Sequence, residues 1–178
     1  MVIGIALLLL SPVLVFLLPN FVANTLYFKT GSWFIFVSGG VYMIYTIGMV
    51  LLIAVFFVLY VLNLSKKAYY ISAGLALMAV LTFYIASLNY TMLSDDEIVY
   101  RPLFSFETHS YNWSDVEKAK FRSIHADDGT SQFDVTFNDG EKLTFTVNRL
   151  FSKFLNPVES RLSYEGVEVE KILVPKKE

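Results

Sequence analysis

The segment 41–90 reads VYMIYTIGMVLLIAVFFVLYVLNLSKKAYYISAGLALMAVLTFYIASLNY, and its only charged residues are Lys66 and Lys67. A helix rises about 1.5 Å per residue and the hydrocarbon core of a bilayer is about 30 Å thick, so a span needs roughly 17–25 apolar residues. The stretches 41–64 and 68–90 both meet that length. Because the break between them is so short, the sequence predicts two membrane helices joined as a tight antiparallel hairpin.

A third apolar stretch, 2–18, precedes this hairpin and carries no charge. Its Ser11-Pro12 pair is compatible with a kinked membrane helix. A cleaved secretory signal is the alternative, but no basic segment comes before the apolar run, and we therefore expect a retained span. The predicted transmembrane region is residues 1–92, with spans at about 2–18, 41–64 and 68–90.

The predicted spans contain no charged residue. Ion pathways and proton relays depend on ionisable groups inside the membrane, so transport by this chain alone is not expected. Ser38-Gly39-Gly40 marks either the start of the second span or a point of close helix approach, and we favour the start. Aromatic residues of the kind found at membrane interfaces lie near the ends of the spans: Trp33, Phe34, Tyr69, Tyr70, Tyr84 and Tyr90.

Charge divides the chain near residue 94. All sixteen acidic residues and eleven of the fourteen basic ones follow Ser94, so the front part has a net charge of +3 and the tail 11 − 16 = −5. An overall basic footprint is missing, and a nucleic-acid partner is not expected. The absence of cysteine excludes disulfides, thiolate metal sites and thiol nucleophiles.

The tail alternates apolar and polar residues with period two, which is typical of β-strands. This pattern predicts strands at 98–101, 104–108 and 116–126, the last closed by an Asp127-Asp128-Gly129 turn. Two further strands within 132–148 flank Asn138-Asp139-Gly140-Glu141, a strong hairpin signal because Asp-Gly favours positive φ angles.

A helical pattern follows this hairpin. Asn148 is a candidate cap, Pro157 kinks or restarts the helix, and Gly166 ends it. One apolar face is predicted from Leu150, Phe151, Phe154, Leu155, Val158 and Leu162. A short final strand is expected at 167–173. Residues 93–178 are thus predicted to form a small α+β domain, an antiparallel sheet or partial barrel with a covering C-terminal helix, and Trp113 is expected to be buried in its core.

Two runs stand out in the tail: Ser94-Asp95-Asp96-Glu97-Ile98-Val99-Tyr100-Arg101 and Tyr111-Asn112-Trp113-Ser114-Asp115-Val116. A glycine-containing hairpin and a closing helix follow them. This order resembles bacterial membrane-anchored domains of pleckstrin-homology-like (PH-like) fold. The similarity covers about residues 93–165 and includes the Trp-x-Asp-hydrophobic step into a strand. It implies a binding or scaffolding role at the membrane and supplies no catalytic residue.

Catalytic motifs are missing from the sequence. It contains no nucleophile elbow, phosphate-binding glycine loop, zinc-protease motif or dinucleotide fingerprint, so no catalytic residue and no cofactor are predicted. His125, Asp127 and Asp128 lie close enough to hold a divalent cation, but the same residues make an ordinary polar turn, and we predict no metal site.

Lys118, Lys120 and Arg122 fall on one face of the strand predicted at 116–126, with Ala119 and Phe121 on the other. They are candidates for contact with a lipid headgroup or a protein partner. The alternative is a solvated strand face whose charges protect a sheet edge from aggregation.

The expected function is that of a non-enzymatic integral membrane protein whose PH-like domain binds or scaffolds another protein. An accessory or regulatory subunit of a transporter or membrane enzyme is the alternative, and a metal-dependent enzyme is a remote third. Expected partners are the lipid bilayer and another membrane protein or a second copy of this chain. Lys66-Lys67 favours a cytoplasmic turn, which would place the C-terminal domain outside, whereas Lys29 and Arg101 favour the opposite orientation.

Overall fold

The computed structural model describes residues 2–124, 130–149 and 151–173. The chain divides into two compact units: residues up to Asp95 together with Val99–His109, and Asp96–Ile98 together with residues from Ser110 onward. The predicted division at residues 92–93 stays a prediction. In chain order the described helices and strands are α1 (Val2–Tyr27), β1 (Ser32–Phe36), α2 (Gly39–Val61), α3 (Lys66–Ser87), β2 (Tyr90–Ser94), β3 (Glu97–Arg101), β4 (His109–Asn112), β5 (Val116–Ser123), β6 (Gln132–Phe137), β7 (Lys142–Thr146), α4 (Leu155–Tyr164) and β8 (Val169–Leu173).

Helices α1, α2 and α3 are long and apolar enough to cross a membrane, and they indicate a multi-pass membrane protein. The first helix has 26 residues and continues past the predicted end at residue 18, through Pro19. Beyond that proline, the Asn24 amide donates to the backbone carbonyl of Asn20 at 2.8 Å, and the Asn20 amide donates to the Tyr42 hydroxyl of α2 at 2.7 Å. Both polar side chains are therefore hydrogen-bonded.

The ends of the helices show how the three spans alternate in direction. The Tyr27 hydroxyl at the end of α1 donates to the carbonyl of Ser87 at the end of α3, at 2.9 Å. Near the other end, the hairpin turn includes Asn63 and Leu64 with φ of 49° and 54°, and the Ser65 hydroxyl accepts from the Ala68 N–H. The predicted antiparallel hairpin is confirmed, with its two lysines at the end away from Tyr27.

Strand β1 was not predicted, because Ser32–Phe36 reads as part of an apolar run leading into the second span. It pairs antiparallel with β2. The third helix ends at Ser87, so the predicted end of this span at residue 90 is wrong. Tyr90 lies in β2, is buried, and stacks on Tyr27 with ring centroids 3.7 Å apart.

The first sheet has the order β1-β2-β3-β4. The core of the first unit lies where β1 and β2 pack on the helices, and it includes Ala23, Ile35, Val41, Tyr45, Ala86, Met92 and Val99. Both polar atoms of the buried Asn89 side chain are hydrogen-bonded. Its Oδ1 accepts from the Ser38 N–H at 2.9 Å, and its Nδ2 donates to the backbone carbonyl of Arg101 at 2.7 Å. Ser38 precedes α2, which confirms the Ser38-Gly39-Gly40 triplet as a span start.

The strand predicted at 104–108 is wrong. Residues 102–108 form a loop, and β4 begins only at His109. Phe104 has φ of 65°, a left-handed conformation that interrupts an extended strand. Its alternation with Phe106 mimicked a strand, although both rings are exposed.

The second sheet has the order β7-β6-β5-β8. The predicted hairpin is confirmed as β6 and β7, and Gly140 in its turn has φ of 87°. The final strand, however, runs parallel to β5, so the sheet is mixed rather than purely antiparallel. Helix α4 connects β7 to β8 and supplies the crossover that a parallel pairing needs.

Helix α4 is shorter than predicted and begins at Leu155, so Pro157 lies in its first turn and the chain restarts there instead of kinking. Asn148 caps the preceding 3-10 turn, where its side chain accepts from the Phe151 N–H at 2.9 Å. Gly166 follows the helix with φ of 80°. Leu150, predicted on the apolar face, and the turn at Asp127-Asp128-Gly129 lie outside the described residues. Buried in the core of this unit are Trp113, Phe133, Val135, Phe137, Phe145, Phe151, Val158 and Leu162.

Candidate binding face

The three cations predicted from the sequence do lie on one side of β5. Lys118 is opposite Thr136 on β6, Lys120 is opposite Asp134, and Arg122 is opposite Gln132. Strand β5 has β6 on one side and β8 on the other. The interpretation of these charges as protection for a sheet edge is therefore wrong, because β5 is a central strand.

The register defines a continuous polar face of the second sheet, opposite the side that carries Ala119 and Phe133. Its members across the four strands are Lys118, Lys120, Arg122, Gln132, Asp134, Thr136, Lys142, Thr144, Thr146, Glu170 and Ile172. Four cations and two carboxylates lie on this polar face, and the Glu117 carboxylate, which pairs with Lys118, reduces the net charge from +2 to +1. It is a basic surface on an otherwise acidic C-terminal part.

Asp134 is the buried charged residue of the polar face. Only 1% of it is exposed, and its Oδ2 lies 2.6 Å from Nη2 of Arg122 and 3.7 Å from Nζ of Lys142. Its Oδ1 accepts a hydrogen bond from the Thr144 hydroxyl at 2.6 Å. A buried carboxylate is tolerated only when it is paired and hydrogen-bonded, so this contact set holds the Arg122 guanidinium in one place.

Lys118 and Lys120 have looser partners. Lys118 pairs with Glu117 at 2.6 Å and Lys120 with Glu170 at 2.8 Å, and these side chains are largely exposed to solvent. The hydrogen bond and charge of Glu117 raise the pKa of Lys118, because both favour the protonated amine. Exposed ion pairs contribute about 0–1 kcal/mol, so an incoming carboxylate or phosphate can replace Glu117 or Glu170 at little cost.

Asp134, Lys142 and Thr144 were not singled out from the sequence. The pairing of Thr144 with Asp134 could have been predicted from the hairpin, because the Asp-Gly turn sets the register that places these two residues opposite each other. The link from Asp134 to Arg122 was not visible, since it depends on which strand lies beside β6.

A metal site at His125, Asp127 and Asp128 was a possibility from the sequence that we did not predict. These residues lie outside the described part of the chain. Within residues 2–124, 130–149 and 151–173, no group of three or more histidine, cysteine, aspartate or glutamate side chains is placed to hold a metal ion. His109 stacks against Tyr100 with ring centroids 5.0 Å apart. A cavity of about 340 Å³ is lined by Phe56, Leu59, Tyr60, Asn63 and Leu64, none of which is a general acid or base at neutral pH.

No protein-family model matches this chain, and no curated protein matches it. The polar face combines a guanidinium bonded to a buried carboxylate with two amines whose carboxylate partners are exposed, all three on a central strand.

Proposed function

We propose that this chain is a non-enzymatic multi-pass membrane protein whose C-terminal β domain is PH-like, as in bacterial membrane-anchored proteins, and binds an acidic segment of a partner protein at the cell membrane. The observation that carries the proposal is the polar face. Arg122 is held by the buried carboxylate of Asp134, while Lys118 and Lys120 have exposed partners that a ligand can displace.

An acidic partner fits this surface for an electrostatic reason. A binding surface gains specificity when its charged groups are preorganised and complementary to the partner. Arg122 needs no reorganisation, and the lysines exchange one carboxylate for another with little net loss. The Thr136 and Thr146 hydroxyls on neighbouring strands of the same face supply further hydrogen-bonding groups.

The architecture of the second unit supports the PH-like part of the proposal. Helix α4 directly follows the β5–β6–β7 meander and buries Val158 and Leu162. This order of strands and closing helix is the one on which the resemblance rests. Strand β8 after the helix is an addition to the resembled pattern.

In the proposed orientation, the Lys66-Lys67 turn lies in the cytoplasm and the C-terminal domain lies outside. Lysines in short loops favour the cytoplasmic side. These two lysines begin α3, and the chain leaves the membrane at the opposite end of that helix.

A second candidate is an accessory subunit whose spans contact another membrane protein. Gly74 on α3 favours it, because a Cβ added there meets nothing within 4 Å, so this side of the helix is open to a neighbour. Ser72, by contrast, is used within the chain, where its hydroxyl donates to the Val55 carbonyl of α2 at 3.3 Å. Small residues that face outward permit close helix packing in lipid.

Chemical crosslinking and co-purification of the full-length chain from mild detergent test both candidates. We expect the double charge reversal Lys118→Glu/Lys120→Glu to reduce the captured partner at least tenfold, which corresponds to about 1.4 kcal/mol. The matched control is Lys153→Glu/Lys171→Glu, with the same change in net charge at two exposed cations outside the polar face.

Three outcomes separate the candidates. Loss of the partner only with the polar-face variant supports the first, and loss only with Gly74→Leu supports the accessory subunit. Capture that neither variant changes contradicts both. If the polar-face variant instead abolishes binding of the full chain to anionic vesicles, the polar face is assigned to lipid headgroups and not to a protein.

A further inference from the structure

Two phenylalanines in the loop between β3 and β4 are turned to the outside. Phe104 is 72% exposed and Phe106 is 76% exposed. Both belong to the same compact unit as the three membrane helices, which includes Val99–His109. Two large apolar rings exposed in one short loop offer a candidate contact for an apolar medium, since each ring carries a large apolar area.

The loop is an ordered structure. The Ser105 N–H donates to the Pro102 carbonyl at 3.2 Å, and the Ser105 hydroxyl accepts from the Glu107 N–H at 3.1 Å. At the base of the loop, Arg101 donates to the Thr108 hydroxyl through Nε at 3.0 Å and Nη2 at 2.6 Å. These bonds hold the two rings outward.

Phe104 occupies a position in this turn that favours glycine. Its φ of 65° is left-handed, and a bulky residue in that region is strained. A ring with no partner would leave this strain uncompensated. Burial of the exposed ring in an apolar or interfacial medium would offset it.

Contacts within the first unit place the base of the loop near the end of α1 and the start of α2. Leu103 packs against the core beside the helices, and a Cβ added to Gly40 would lie 3.0 Å from Cδ2 of Leu103. Gly40 is the second residue of α2. The Arg101 guanidinium lies over the ring of Tyr90, which in turn stacks on Tyr27, the last residue of α1.

We propose that Phe104 and Phe106 insert into the lipid interface of the leaflet at which α1 ends and α2 begins. The occupant is the bilayer because the base of the loop lies against the start of α2 through Leu103 and is linked to the end of α1 through Arg101 and Tyr90. Phenyl rings of interfacial segments bury at the boundary between headgroups and acyl chains. Glu107 is exposed beside them, so insertion stops at the interface and does not reach the hydrocarbon centre.

This lipid contact is independent of the polar face and of any protein partner. It would hold the connection between β3 and β4 against the membrane. It also applies to either orientation of the protein, because phenyl rings need no anionic headgroup.

Site-directed spin labelling of the full chain in liposomes tests the proposal. The chain has no cysteine, so single variants Phe104→Cys and Phe106→Cys can each carry one nitroxide. Collision with apolar oxygen and with a water-soluble nickel chelate reports the depth of the label. Phe57→Cys on α2 is the control for a lipid-facing position, and Glu141→Cys in the β6–β7 turn is the control for water.

We expect both loop labels to favour oxygen over the nickel chelate by severalfold relative to Glu141→Cys, while remaining shallower than Phe57→Cys. Nickel accessibility equal to that of Glu141→Cys would overturn the proposal, because the loop would then lie in water. Protection from both reagents would also overturn it, because the rings would then be covered by protein. The two separate positions guard against a local failure of the strained residue 104.

Discussion

At the scale of single residues, Asp134 has the most constrained environment among the charged groups of the polar face. Its carboxylate is 1% exposed, whereas the Arg122 side chain that pairs with it is 37% exposed. The two members of the pair are therefore unequal. Asp134 depends on Arg122 for its charge to be tolerated, but Arg122 can be hydrated without Asp134.

This asymmetry predicts which of two single variants loses more free energy of unfolding. Asp134→Asn keeps the shape and the contact with Thr144, so we expect the free energy of unfolding to fall by about 1–3 kcal/mol. Arg122→Met leaves a buried carboxylate with Thr144 and the more distant Lys142, and we expect a larger loss of about 3–5 kcal/mol. Thermal and denaturant unfolding of the full chain in detergent, followed by tryptophan fluorescence, measures both.

The double variant Asp134→Asn/Arg122→Met is the control for direct coupling. It should cost less than the two single changes together, because no unpaired buried charge remains. Strictly additive losses would show that Arg122 does not stabilise the Asp134 carboxylate.

At the scale of elements, the α2–α3 hairpin contains a close approach of Gly48 to Phe83. A Cβ added to Gly48 would lie 2.7 Å from Cε1 of Phe83, and the Phe83 ring is tilted against Tyr45 at 5.3 Å between centroids. The ring cannot move away without disturbing Tyr45, which is itself buried. The absence of a side chain at residue 48 is therefore a packing requirement of the membrane hairpin.

We predict that Gly48→Ala lowers the stability of the hairpin by about 1–3 kcal/mol through overpacking. Gly74→Ala is the matched control on α3, where an added Cβ meets open space, so it should be neutral or slightly stabilising. Thermal melting of the full chain in detergent, followed by circular dichroism, compares the two. A melting temperature for Gly48→Ala at or above that of Gly74→Ala would contradict this packing, and recovery in Gly48→Ala/Phe83→Leu would support it.

At the scale of the whole molecule, three spans dictate which parts share a side of the membrane. One span, α3, separates the Lys66-Lys67 turn from the C-terminal strands. The turn and β2, the strand that follows α3, then lie on opposite sides, whichever side is cytoplasmic.

We predict that Lys67→Cys and Glu141→Cys react with a membrane-impermeant maleimide from opposite sides of the membrane. The cysteine-free parent chain is the blank for the measurement. Labelling in intact cells, compared with permeabilised cells, identifies the outer position, and the proposed orientation requires it to be Glu141→Cys. Labelling of both variants from the same side would show that α3 does not cross the membrane.

The sequence by itself determined the three membrane spans, their hairpin and the β6–β7 turn. Each of these depends on local properties, namely the apolar content of about twenty consecutive residues or the positive φ that Asp-Gly permits. It also placed Lys118, Lys120 and Arg122 on one side of a strand, because side chains alternate with period two.

The tertiary structure alone decided the pairings between distant segments. Strand β1 is recognisable only with β2, where Phe34 faces Leu93. The parallel position of β8 beside β5 depends on strands that are far apart in the chain. The link from Asp134 to Arg122 depends on the register between β5 and β6, which the predicted turn between them did not fix. Strand pairing is stabilised by hydrogen bonds and contacts across such distances, and a five-residue apolar stretch does not itself specify a strand or the edge of a membrane helix. Phe104 and Phe106 are a further example, because they alternate like a strand in the sequence but lie in a loop with their rings exposed.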